Sequence, residues 1–155
     1  MLQTALAILT GIVIATVSSW ITVRLSLNRY RSERWWERKV AAYERIIAAL
    51  HEAKTFVDNH LEAEYNCKEI SEERAKELRL RSKSAHEEII KSIDIGTFLL
   101  SDEALKRLKQ YQKDAAQAKN EQSWFEYLEA DWSATDKCLK DLIQIAKRDL
   151  KAKST

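Results

Sequence analysis

The chain contains no proline and only two glycines, Gly11 and Gly96. These are the residues that most often break helices and make turns, so long uninterrupted helices are the expectation and a sheet protein is disfavoured. Its 155 residues leave room for one membrane span and one further domain. About a third of the residues are charged, with both signs interspersed, and apolar content is high. That combination suits amphipathic helices around a core rather than a disordered tail.

The charge is unevenly placed. Residues 1–23 carry no charged side chain, whereas residues 24–45 hold seven Arg or Lys against three Glu, net +4. The rest of the chain is therefore at −2 of the overall +2. From Ala5 to Val23 run 19 uncharged residues, which at about 1.5 Å each nearly cover a hydrocarbon core of roughly 30 Å. The leader lacks the basic start and terminal small-residue site of a cleaved signal peptide, so a retained transmembrane helix is expected. Arg24, Arg29, Arg31, Arg34, Arg38 and Lys39 follow it, and the positive-inside rule places that end in the cytoplasm and the N-terminus outside.

One face of the expected span is made of small residues at four-residue spacing: Ala7, Gly11, Ala15 and Ser19. Such a stripe lets backbones approach closely and points to self-association within a bilayer. The basic collar, with Trp35 and Trp36 among its cations, predicts contact with anionic lipid head groups or with a protein partner. The mildly acidic remainder argues against nucleic acid as a direct ligand.

Beyond the collar, Val40, Tyr43, Ile47, Leu50, Lys54, Val57 and Leu61 recur at alternating spacings of three and four, a heptad seam; Ile46, Ala49, Ala53 and Phe56 widen it. No breaker separates this seam from the span, so one helix running through both is expected. It should end between Tyr65 and Ile70. Ser71 predicts the N-cap of a second helix reaching about Ile93, and Ser101 that of a third ending near Asn120. Ser123 with Glu126 forms a capping box before a fourth, whose predicted seam is Leu128, Trp132, Thr135, Leu139, Leu142 and Ala146. Phe98, Leu99 and Leu100 are expected to cap the core's end. The fold class is thus all-α: a transmembrane helix (1–27), a basic juxtamembrane collar (28–39) and a cytoplasmic antiparallel bundle of about four helices (40–155).

No chemistry is announced. His60, Glu64 and Cys67 stand near one another on one helix, but His51 and His86 lack the matching Glu-x-x-His pattern of a bundle metal site. No metal, cofactor or catalytic residue is assigned. Cys67 and Cys138 read as free thiols packed as small apolar groups. Adjacent carboxylates such as Glu87 and Glu88 belong to solvated faces. A non-enzyme is expected.

The run RSERWWERKVAAYERIIAALH, residues 31–51, resembles a segment of small, uncharacterised bacterial single-span membrane proteins that carry a basic RWWERK juxtamembrane element. The resemblance covers the span and about 40 residues beyond it and supplies no catalytic motif. Some membrane-anchored helical proteins of this build act as effectors beside bacterial anti-phage sensors, so it implies an inner-membrane protein of antiviral defence that disrupts the bilayer. The alternative expectation is a static adaptor that recruits a cytoplasmic partner. In either case a homo-oligomer and a lipid surface are the expected partners.

Overall fold

The computed structural model describes the backbone of residues 2–151 and the side chains of residues 16–151. It contains four α-helices: α1 (Leu2–Tyr65), α2 (Glu72–Gly96), α3 (Asp102–Ala118) and α4 (Trp124–Lys151). No strand occurs among the described residues, and the protein is all-α. The chain divides into two units, Met1–Arg38 and Lys39–Thr155. The second is a four-helix bundle built from the C-terminal half of α1 with α2, α3 and α4.

The helix boundaries have local causes. The Ser71 hydroxyl accepts from the Arg74 amide at the start of α2, and the Ser101 hydroxyl accepts from the Ala104 amide at the start of α3. At α4 the capping box closes in both directions: the Glu126 amide donates to Ser123 Oγ at 3.1 Å, and the Ser123 amide donates to Glu126 Oε2 at 3.1 Å. Acidic side chains occupy the first turns of α2, α3 and α4, where the exposed amides favour them. The end of α1 is a Schellman turn, with Lys68 N–H bonded to Ala63 C=O and Cys67 N–H to Glu64 C=O. Cys67 sits at its left-handed position, φ 47°, which normally favours glycine.

Cross-helix contacts fix an up-down order. Arg81 meets Glu52 at 2.6 Å and Arg45 meets Glu88 at 3.6 Å, so α2 runs antiparallel to α1. Arg107 pairs with Asp141 at 2.7 Å and Glu103 with Arg148 at 2.6 Å, so α4 runs antiparallel to α3. Trp132 Nε1 donates to Asp58 at 2.7 Å, closing α4 onto α1. Near the end where α1 enters the bundle, the buried Tyr43 hydroxyl donates to Asp149 and lies 3.4 Å from Ser101 Oγ; Lys39 approaches the same carboxylate at 3.6 Å. The first and last bundle helices are thus tied by one polar cluster.

The core differs from the expected seams in register. On α1, Ile46, Ala49, Ala53 and Phe56 are buried along with Tyr43, Leu50, Val57 and Leu61, whereas Val40, Ile47 and Lys54 are half-exposed. The stripe is wide because α1 packs between two neighbours, not on one. On α4 the buried line is Leu128, Asp131, Thr135, Cys138, Leu142 and Ile145, with Ala134 and Ala146 beside it; Trp132 and Leu139 flank it. Phe98 does not cap the core: it is 77% exposed, and only Leu100 of that trio is buried. Helix α2 continues past the expected stop to Gly96. Glycine there serves close packing, since a Cβ would lie 2.6 Å from Leu100 Cδ1. Cys138 is buried as expected, but Cys67 is exposed.

Candidate functional site

The residues singled out from the sequence lie on α1. Of the small-residue stripe, Ala7, Gly11 and Ala15 fall outside the described side chains; Ser19 is described and exposed. Among the described residues no helix is long and apolar enough to cross a membrane. Most side chains of the apolar stretch expected to do so, from Leu2 to Val23, lie outside the described ones.

The described part of α1 ahead of the bundle presents large apolar side chains over much of its surface, interrupted by a polar strip of Ser19, Thr22, Ser26, Arg29 and Glu33. Val17, Trp20, Ile21, Val23, Leu25, Leu27, Tyr30, Trp35 and Trp36 are all exposed, Trp20 at 61% and Leu25 at 65%. The collar cations interleave with them. Arg24 lies over the Trp20 ring at 5.1 Å, and Arg34 lies over Tyr30 at 5.3 Å while donating to its hydroxyl at 3.0 Å. Arg29 pairs with Glu33 at 3.0 Å and Arg34 with Glu37 at 3.4 Å. These contacts are three or four residues apart on one exposed helix, where solvent screening leaves them weak. Arg31 and Arg38 form no ion pair among the described residues. The collar therefore keeps its cations available. Lys39 differs, because its ammonium turns into the bundle toward Asp149.

The histidines are locally engaged. His60 Nδ1 is 2.8 Å from the Phe56 carbonyl, with the ring against Phe56 and edge-on to Trp124. His86 Nδ1 is 2.8 Å from the Ser82 carbonyl, and its Nε2 is 3.3 Å from the Tyr111 hydroxyl. Among the described residues no three metal-binding side chains converge. The Cys138 thiol is pushed up to about 12 by burial, which makes it a poor nucleophile.

Two features of the bundle were not read from the sequence. One is a groove of about 560 Å³ beside the end of α1, lined by Asp58, Glu62, Tyr65, Glu129 and Trp132. Tyr65 is exposed, its hydroxyl 3.2 Å from Glu129. The other is Asp131, a carboxylate only 3% exposed, at a cavity of about 190 Å³ between α2, α3 and α4. Burial raises its pKa against the opposing pull of His86, Lys119 and the Tyr127 hydroxyl. Burial likewise pushes Tyr127 up to about 12. A three-four alternation running Leu128, Asp131, Thr135, Cys138 and Leu142 was the signal that could have exposed Asp131. No family model matches the chain, and no curated protein or solved structure is significantly similar to it.

Proposed function

We propose that this protein is a membrane-anchored, self-associating helical interaction module, with its N-terminal helix in a bacterial inner membrane and its bundle in the cytoplasm. The observation that carries the reading is the exposed apolar surface around α1 from Val17 to Trp36, ahead of a bundle that already has its own core. Exposed apolar side chains of this size suit lipid or a second helix, and the cations that follow them mark the end that stays on the cytoplasmic side. The stripe of Ala7, Gly11, Ala15 and Ser19 is the surface on which two spans would meet. Arg24, Arg29, Arg31, Arg34 and Arg38 would face anionic head groups, with Trp35 and Trp36 beside them.

On this reading the protein is the effector of an anti-phage system: clustered spans perturb the bilayer, and the bundle controls clustering. The groove at Asp58, Glu62 and Glu129 favours a second reading, an adaptor whose acidic, aromatic-lined surface holds a basic cytoplasmic partner while the span only tethers. Induced expression in cells carrying a membrane-potential dye separates them. The effector depolarises the cells and loses that effect when Gly11 and Ala15 are both replaced by Ile. Unchanged potential favours the adaptor, and depolarisation that survives the double replacement rules out clustering through the stripe.

A further inference from the structure

The cavity beside Asp131 exists because the facing surfaces are thin. Helix α3 offers Ala115 and Ala116 there, and it packs more closely on α4 than on α2. From α4, Asp131 reaches this space with its side chain almost wholly removed from solvent. A carboxylate has about four acceptor positions, and one left short of donors inside a protein is costly. Among the described residues, the Tyr127 hydroxyl is the hydrogen-bonding neighbour directed at it. No ion pair joins it to any cation among the described residues; Lys119 stands exposed at the cavity's rim.

The other polar groups lining the space are His86, Tyr111, Gln112 and Lys119. His86 Nδ1 can bond to the Ser82 carbonyl only as an N–H donor, and its Nε2 lies 3.3 Å from the Tyr111 hydroxyl. The space thus offers the Asp131 carboxylate, with the Gln112 amide also on its lining and Ile89, Ile90 and the two alanines as apolar walls. A volume of about 190 Å³ exceeds the roughly 150 Å³ that admits benzene in an engineered cavity. One carboxylate and one already engaged imidazole are too few ligands for a transition metal.

We infer that the cavity between α2, α3 and α4 is a binding site for a small alkylammonium group, whose charged head meets Asp131 and whose carbon chain lies against Ile89, Ile90, Ala115 and Ala116. The head belongs to a free aliphatic amine or to a lysine side chain. This site stands apart from the membrane reading and holds whether or not α1 enters a bilayer.

The test is calorimetric titration of the full chain in a neutral detergent with n-butylammonium chloride and Nα-acetyl-lysinamide, against 1-butanol and sodium butyrate at matched ionic strength. The inference expects saturable binding of an ammonium compound with Kd of about 1 mM or tighter, and none of butanol or butyrate. Asp131→Asn, which keeps the side-chain shape, should weaken binding at least tenfold. Ala115→Leu, which fills the cavity and leaves the carboxylate in place, should do the same. Binding of both ammonium compounds identifies a lysine side chain as an admissible source; binding of butylammonium alone identifies a free amine. Absence of saturation for both, equal binding by Asp131→Asn, or equal binding of butanol overturns the site.

Discussion

Replacing Asp131 by Asn should stabilise the protein at neutral pH. The carboxylate is 3% exposed and makes no ion pair among the described residues, so folding removes a charge from water with little return. An under-satisfied buried polar group costs about 1–3 kcal/mol, and more when charged. Asparagine keeps an acceptor for the Tyr127 hydroxyl and loses the charge, but it also loses the attraction of His86 and Lys119. The net gain expected is about 1–2 kcal/mol, or about 3–6 °C in Tm for a bundle of this size.

The pH dependence has a definite sign. Because the folded-state pKa lies above the ordinary 3.8, the folded protein binds more protons than the unfolded chain between the two values, and stability falls as pH rises through the folded value. Below 3.8 the carboxyl is protonated in both states, so the advantage of Asn should shrink toward zero. Thermal unfolding of the full chain in micelles, followed by near-ultraviolet circular dichroism at pH 7 and pH 3, measures both quantities. A variant less stable than the parent at pH 7 would refute the reasoning and mean that the carboxylate is held in a productive ion pair; a gain undiminished at pH 3 would refute it by showing that the buried charge is not its source.

Three further outcomes follow from the packing. Leu108 is fully buried, and Leu108→Ala should cost about 2–5 kcal/mol in urea unfolding. Tyr43→Phe removes the donor that, with Ser101 and Lys39, holds the Asp149 carboxyl below its ordinary value against the upward push of burial. That carboxylate contributes stability above the unfolded value and loses it as pH falls through the folded one, so the variant's acid unfolding should begin at higher pH, with a cost of about 1–2 kcal/mol at pH 7. Cys67→Gly relieves a left-handed backbone position and should raise stability by about 1 kcal/mol in the same urea assay.

The ends of the helices were legible because their causes are local. Ser71, Ser101 and the Ser123–Glu126 pair cap the helices they were expected to cap. The core was legible only as stripes. A straight helix has 3.6 residues per turn, and in a bundle it meets two neighbours, so the heptad seams placed Ile47 and Trp132 inside where they are half-exposed, while Ile46, expected on the widened stripe, and Asp131, not expected, are buried. Asp131 was hidden by its own polarity: an acidic residue between Leu128 and Thr135 reads as a solvated position until two other helices, α2 and α3, close around it. The Tyr43–Asp149 and His86–Tyr111 contacts join residues distant in sequence, and no local pattern announces them. Phe98 was expected inside because it is apolar, but its place in the turn after α2 leaves it exposed.

The membrane anchor is the claim on which the functional reading depends, and the chain carries its own reporter for it. Cys67 is exposed beyond the end of α1, whereas Cys138 is buried with its thiol pushed up to about 12, so a maleimide should react at one position. Spheroplasts expressing the protein are treated with a membrane-impermeant maleimide before and after permeabilisation, and the membranes are then washed with alkaline carbonate. The account predicts that the protein stays with the washed membranes and that Cys67 is labelled only after permeabilisation. Release into the wash would contradict the anchor, and labelling in intact spheroplasts would contradict its orientation.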